Sequence, residues 1–186
     1  MRIRRLIWIA LFTVMLAALT GCAGAMFPAE TSFMPVHPLE SGLNAYSTLK
    51  LSFEPGTGVF GTVENPTSVT GGLYVATVLK LRALGLFKTV ELDTSASQPP
   101  GTLTMKVTIL GVSHVDDATR FMAGLWAGRA SLAVSVDFID RETGKTLGSY
   151  AITGRSSAAT YSSDSQAVRQ VADAIAAVIA NGYHKQ

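Results

Sequence analysis

The chain has 186 residues, of which 15 are Lys or Arg and 13 are Asp or Glu, and it contains a single cysteine. Three of the basic residues, Arg2, Arg4 and Arg5, stand in the first five positions, so the remainder of the chain holds 12 basic and 13 acidic side chains. Nucleic-acid binding needs a concentrated basic patch, and the sequence has none, so we expect no nucleic-acid partner. The lone cysteine excludes an internal disulfide.

The first 21 residues have the pattern of a bacterial secretory signal peptide. A cationic start is followed by an apolar run from Leu6 to Leu19, which is short of the roughly 20 residues that a membrane-spanning helix needs. The run ends at Leu19-Thr20-Gly21-Cys22, which resembles the lipobox of bacterial lipoproteins. This resemblance implies cleavage before Cys22 and a covalent diacylglycerol and N-acyl chain on that residue. The alternative is an ordinary secreted protein with a cysteine near its cleavage site.

Acyl chains on Cys22 make the lipid bilayer the first expected partner. Each buried methylene contributes about 0.8 kcal/mol, so two or three chains hold a protein firmly on a membrane. Lipoproteins retained in the inner membrane commonly resemble one another in an Asp just after the cysteine, whereas Ala23 and Gly24 stand here. We therefore expect a lipid-anchored protein of the bacterial cell envelope, held on the outer membrane and facing the periplasm.

Behind the anchor, residues 22–44 are expected to form a flexible tether, because they contain several prolines and no sustained apolar period. Residues 45–186 are expected to form a single domain. Its predicted elements, from apolar periods of two or 3.6 residues, are strand 46–53, helix 72–84, strands 87–93, 103–109, 132–138 and 147–153, and a last helix from 163 that ends at Asn181-Gly182.

These elements predict an α+β fold. We expect a mainly antiparallel sheet of about five strands with two helices packed on one face, in the order β-α-β-β-β-β-α. In the first helix, Leu73, Ala76, Leu79 and Ala83 are predicted to face the core, and Gly85 is its predicted end. In the last helix, the predicted buried face consists of Val168, Val171, Ala172, Ile175, Val178 and Ile179.

The run Arg120-Phe121-Met122-Ala123-Gly124-Leu125-Trp126-Ala127-Gly128-Arg129-Ala130 is followed by an alternating strand and by Thr143-Gly144-Lys145. With the lipobox and the final helix, this arrangement resembles the lipoprotein family catalogued as domain of unknown function 4410. The resemblance implies no activity, because that family has none assigned. Gly85-Leu86-Phe87-Lys88-Thr89-Val90 after a helix is also similar to envelope lipoproteins that activate peptidoglycan synthases and to the periplasmic part of the curli secretion channel, a likeness of fold that does not determine function.

Three sequence patterns resemble functional motifs but lack features that those motifs require. His114, Asp116 and Asp117 are neighbours, but a metal site needs three or four suitably spaced ligands, and we expect a solvated loop and no metal. The letters G-x-G-x-x-G from Gly56 to Gly61 are not followed directly by a helix that could bind a phosphate. Ser113-His114 lacks the Gly-x-Ser-x-Gly elbow of hydrolases. We therefore name no catalytic residue, expect no cofactor beyond the acyl chains, and predict that the protein is not an enzyme.

The glycine-rich run places large apolar side chains in a predicted loop, where water would normally disfavour them. They either fold back onto the core of the domain or form a contact surface for an envelope protein, for another copy of the chain or for the bilayer. The leading hypothesis is a membrane-anchored, non-enzymatic interaction or accessory module; the alternatives are a self-assembling structural subunit and a small-ligand carrier or hydrolase. The candidate contact residues are Arg120, Phe121, Met122, Gly124, Leu125, Trp126, Gly128 and Arg129.

Overall fold

The computed structural model describes residues 29–39, 42–56, 66–94, 99–113, 129–157 and 164–184, and in them it shows six strands and two α-helices. The elements are β1 (Glu30–His37), a 3₁₀ turn (Leu43–Ala45), β2 (Thr48–Pro55), α1 (Pro66–Leu84), β3 (Thr89–Leu92), β4 (Thr102–Ser113), β5 (Ser131–Asp140), β6 (Thr146–Arg155) and α2 (Asp164–His184). Neither helix in this part of the chain is long and apolar enough to cross a membrane.

The strands form one sheet in the order β1-β6-β5-β4-β2-β3. The α+β class and the two helices are confirmed, but the prediction of a mainly antiparallel sheet of five strands was wrong. The sheet has six strands and is mixed, because β2 runs parallel to both of its neighbours, β3 and β4. The parallel pairing of β2 and β3 follows from α1, since a helix between two strands returns the chain to the end of the sheet from which it started.

The sixth strand, β1, lies inside the segment 22–44 that we expected to be a tether without fixed structure. It pairs antiparallel with β6, from Glu30 opposite Arg155 to His37 opposite Ser149, with a bulge between Pro35 and His37. All eight of its residues are exposed, so the sequence has no buried alternation that would reveal it. A proline is tolerated here because the strand is at the edge of the sheet.

The core lies between one face of the sheet and the two helices. Alternate residues of β4 and β5 point into it, as predicted from their two-residue period. The predicted buried face of α2 is confirmed except for Val168, which is only partly buried, and Val171, Ile175 and Ile179 are fully buried. The core members from the strands include Leu49, Leu51, Leu103, Met105, Val107, Ile109, Leu132, Val134, Val136, Phe138 and Ile152.

The predicted core face of α1 was partly wrong. Leu73 is fully buried and Ala76 partly buried, but Leu79 is 63% exposed and Ala83 is exposed as well. Val78 and Leu81 take the buried positions instead. The helix is apolar on several faces, so the sequence alone does not select one of them, and packing against the sheet and α2 makes the choice. Gly85 ends the helix as predicted, with φ of 65°.

A pair of glycines lets the segment after β1 pack against the domain. α2 continues to His184, past the end predicted at Asn181-Gly182. A Cβ atom at Gly182 would collide with the side chain of Leu39, and one at Gly148 of β6 would lie 2.7 Å from the Leu39 Cα atom. Leu39 is 8% exposed in this notch, so the two glycines are needed for close packing and not for a turn.

We expect Gly182→Val to lower the free energy of unfolding by about 1–3 kcal/mol, because the added side chain overfills the Leu39 notch. The matched control is Gly71→Val in α1, where a Cβ would meet nothing within 4 Å and stability should be unchanged or slightly higher. Urea denaturation of both variants measures the difference. Equal stability for the two would show that the notch is not tightly packed.

Candidate functional site: an apolar groove and an open strand edge

An apolar groove of about 610 Å³ lies between α1 and the first turns of α2. We call it the helix groove. Among its described lining residues, Arg169 is the one ionisable side chain, and the rest are apolar, glycine or serine. The lining residues are Ser68, Val69, Gly71, Gly72, Val75, Ala76 and Leu79 of α1 with Ser165, Val168 and Arg169 of α2.

The α1 wall of the helix groove leaves large apolar side chains in water. Val75 is 53% and Leu79 63% exposed. The wall also contains Gly71 and Gly72, around which a Cβ atom would meet nothing within 4 Å. A glycine in a helix interior costs about 1 kcal/mol relative to alanine. Packing within the described chain does not require glycine at either position.

The second apolar surface is the outer side of β1, which we call the open edge. Phe33 is 58%, Met34 63% and Val36 69% exposed. Phe33 lies opposite Ile152 and Met34 opposite Ala151 in β6, so the two side chains point to opposite faces of the strand. A long exposed apolar edge is a surface on which other chains associate unless it is protected.

The other edge of the sheet is protected. β3 has only four residues, and Arg82 of α1 donates a hydrogen bond to the carbonyl oxygen of Val90 at 2.9 Å. Because the Arg82 guanidinium group occupies this carbonyl oxygen on the outermost strand, the oxygen is not available to pair with another strand. The two edges of the sheet therefore differ: β3 is short and capped, whereas β1 is long and apolar.

A cluster of charges joins β3 to the sheet on the face away from the helices. The Lys50 side chain is fully buried, with its Nζ atom 4.0 Å from a Glu91 oxygen and 3.9 Å from an Asp93 oxygen. Asp93 also binds Arg141 at 2.5 Å, and Arg141 lies 3.3 Å from the hydroxyl of Thr104. Two cations and two carboxylates balance one another here. Because these groups pair with each other, the cluster holds the short edge strand β3 against the neighbouring strands of the sheet.

Further along the same face, Lys106 of β4 pairs with Glu54 of β2 at 2.8 Å. The hydrogen bond to the Glu54 carboxylate raises the pKa of Lys106, and the charge of Glu54 acts in the same direction. In the β5–β6 turn, hydrogen bonds from the Thr143 hydroxyl and the Glu142 amide lower the pKa of Asp140. Both arrangements keep ordinary charge states at neutral pH and offer no general acid or base poised near it.

Of the predicted contact residues, Arg129 lies within the described part of the chain. Its Nε atom donates to the Ser156 carbonyl at 2.8 Å, and its Nη1 atom lies 3.4 Å from a Glu30 carboxylate oxygen. The side chain is only one-fifth exposed. Ser156 also accepts a hydrogen bond from the Ala130 amide at 3.1 Å. Arg129 thus joins the start of β1 to the start of β5 and the end of β6.

The remaining predicted residues lie outside the described ranges. These are the lipobox and Cys22, residues 57–61 of the G-x-G-x-x-G run, His114, Asp116, Asp117, and the contact residues Arg120, Phe121, Met122, Gly124, Leu125, Trp126 and Gly128. Within the ranges that the structure covers, no three His, Cys, Asp or Glu side chains come together as metal ligands.

The strand ends on either side of residues 114–128 lie at the same end of the sheet as the start of β1. The sheet register places Ser113 opposite Ser131, Ser131 opposite Arg155, and Arg155 opposite Glu30. The chain therefore leaves β4 and re-enters β5 at the same end of the sheet at which β1 begins.

Sequence reasoning missed both apolar surfaces. The signal for the helix groove is the pair Gly71-Gly72 inside a helical pattern, where glycine normally has a packing or functional reason. The signal for the open edge is weaker, because Phe33 and Met34 are adjacent and are followed directly by Pro35, which does not resemble a half-buried strand.

We expect Asp93→Ala to lower the free energy of unfolding by about 2–3 kcal/mol, because it leaves Lys50 and Arg141 close together without their shared carboxylate. Lys50→Met should cost less than about 1 kcal/mol, since methionine fills the buried space and Arg141 still pairs with Asp93. Chemical denaturation of both variants measures the two costs. The explanation would be wrong if Lys50→Met were the more damaging change.

The fold of this chain is similar to that of several solved structures. No curated protein matches the chain. Two solved structures of PelC from Paraburkholderia phytofirmans, both described as dodecamers, share its fold. The first, a point variant, has 11% identity and a TM-score of 0.53, and the match covers 84% of this chain and 100% of that one. The second, in another crystal form, has 12% identity and a TM-score of 0.55, and the match covers 85% of this chain and 99% of that one. A crystal structure of XCC0632 from Xanthomonas campestris, of family DUF330, has 12% identity, a TM-score of 0.47, and coverage of 80% and 90%.

The family match agrees with the resemblance indicated by the glycine-rich run. Residues 73–160 match the model of the family described as Domain of unknown function (DUF4410). The matched range begins at Leu73 in α1 and extends beyond the end of β6. Over residues 73–160, a little under half of its length, the chain is therefore similar to the DUF4410 family.

Proposed function

We propose that the protein is a lipid-anchored, non-enzymatic module of the bacterial envelope that works by binding further copies of itself. The observation that carries this proposal is the pair of apolar surfaces left in water, the helix groove and the open edge. Phe33, Met34, Val36, Val75 and Leu79 are each more than half exposed. Large exposed apolar patches on a folded domain typically mark interaction surfaces.

Copies of the chain are the favoured partner because the two surfaces differ in shape. One is a concave groove and the other is a projecting strand edge, so a single molecule offers both halves of a contact. The PelC structures of the same fold are described as dodecamers, and this supports the idea that the fold is compatible with assembly. Their identity to this chain is 11–12%, so the support concerns the fold only.

The charges argue against a catalytic role for the described residues. Lys50, Asp93 and Arg141 are engaged in one cluster, and Lys106 pairs with Glu54. A small-ligand carrier needs several polar groups that converge in a pocket. The described lining of the helix groove includes Arg169 as its one ionisable group, which supports an apolar contact surface instead.

A lipid anchor on Cys22 would hold this domain near the membrane. Seven residues separate Cys22 from Glu30, where β1 begins. They span at most about 25 Å when fully extended. The end of the sheet that carries Glu30, Arg129 and Ser113 would therefore lie closest to the bilayer. Assembly of anchored copies would join many acyl groups and make release from the membrane slower.

Expression of the full chain in a bacterial host tests the anchor. We expect metabolic fatty-acid labelling of the wild-type protein and loss of the label in Cys22→Ser, because acylation requires the thiol. Ala23→Ser, which keeps the thiol, is the control and should remain labelled. A wild-type protein without label would overturn the lipid anchor.

Self-association is tested on full-length protein purified from membranes in detergent. Because the two apolar surfaces are complementary, we expect a multimer of defined size by light scattering and native mass spectrometry, with dissociation on dilution. A monomer at every concentration would contradict self-association. Control measurements in a second detergent separate assembly from shared micelles.

A further inference from the structure

We infer that the open edge of one copy docks into the helix groove of the next, with Glu30 facing Arg169. This inference rests on the proposed self-association and specifies its contact. It joins two surfaces that are both apolar and both exposed in the single chain: Phe33 and Met34 on the edge, and Val75 and Leu79 in the groove.

The glycine pair supplies the strongest argument. Gly71 and Gly72 weaken α1 as a helix, and a Cβ atom at either position would meet nothing within 4 Å. Glycine in such a place allows the backbone of another chain to approach closely. The close approach is not made within the described chain, so an incoming segment explains the glycines.

The shape of the open edge fits a groove with two walls. Phe33 and Met34 point to opposite faces of β1, so the strand edge has an apolar side chain on each side. The groove has α1 on one side, with Val75 and Leu79, and α2 on the other, with Val168. A strand entering edge-on would place one of its apolar side chains against each helix.

Charge complementarity orients the contact. Arg169 is the ionisable group among the described lining residues of the groove. Glu30 is the acidic residue of β1, and its side chain is 56% exposed despite lying 3.4 Å from Arg129. A carboxylate between two guanidinium groups, one from each copy, would be favourable at the rim of an apolar interface.

Strand pairing between copies fits the structure less well. The β3 edge is short and its Val90 carbonyl is capped by Arg82. β1 itself contains Pro35, which has no N–H group to donate to a neighbouring strand. The edge is therefore better suited to offer side chains than backbone hydrogen bonds.

Because the edge and the groove are different surfaces, the contact is heterologous. Such contacts repeat from copy to copy and produce a closed ring when the rotation closes, or a filament when it does not. Each copy then uses its edge on one neighbour and its groove on the other. Loss of either surface should stop assembly.

The decisive variant is Gly72→Leu, studied in full-length protein in detergent. Leucine at this position should fill the groove. Because leucine has a higher helix propensity than glycine, the melting temperature of the monomer should also stay the same or rise, by up to about 4 °C. We expect self-association to weaken at least tenfold. A more stable fold with weaker assembly is a combination that misfolding cannot produce. Leu110→Glu, at an exposed residue of β4 outside both surfaces, is the control and should assemble normally.

Two further measurements fix the pairing. Arg169→Glu should weaken assembly, because it places two carboxylates opposite each other, whereas Arg169→Lys should preserve it. Met34→Cys with Val75→Cys should cross-link copies into a ladder under oxidation, whereas Leu92→Cys with Val75→Cys should not, because Leu92 lies on the opposite edge.

The outcomes separate the two proposals. A wild-type monomer would overturn self-association and this docking together. A wild-type multimer that Gly72→Leu leaves intact, or that cross-links through Leu92 and not through Met34, would overturn the docking alone and leave self-association in place.

Discussion

The contact between α2 and β6 at Gly154 fixes the position of the helix layer above the sheet. A Cβ atom at this position would lie 2.5 Å from the carbonyl oxygen of Ala167, so the helix backbone occupies the space that a side chain would take. Val171 of α2 packs beside the same glycine and is fully buried. The remaining contacts of α2 with the sheet are built around this approach.

The place of α2 determines what α1 can bury. α1 packs on β2 and β3 and against the side of α2, and Lys80 of α1 forms an ion pair with Asp173 of α2. With the helices held in this way, Leu73, Val78 and Leu81 enter the core, and Val75 and Leu79 remain outside. α1 has more than one apolar face, and the sheet covers only one of them. The uncovered apolar face forms one wall of the helix groove.

The two edge strands of the sheet, β1 and β3, are held in different ways by the rest of the chain. At β3, the Lys50 cluster and Arg82 tie down and cap a four-residue edge strand. At β1, Arg129 and Leu39 secure the two ends of the strand, while its middle, with Phe33 and Met34, stays exposed. An edge that is fastened but not covered differs from the protected edges of most soluble domains. This asymmetry leaves an apolar strand edge in water in addition to the helix groove.

The amino-acid sequence by itself determined the α+β class, the strands β4 and β5, and the buried face of α2, because in each of these a clear apolar period has only one face to bury. It also indicated the resemblance to the DUF4410 family, through the run from Arg120 to Ala130, which lies within the matched residues 73–160. It could not reveal β1, which buries none of its side chains, or the parallel pairing of β2, which depends on long-range contacts. The tertiary structure alone decided that Leu79 stays in water while Val78 enters the core, because both are apolar and only the position of α2 distinguishes them.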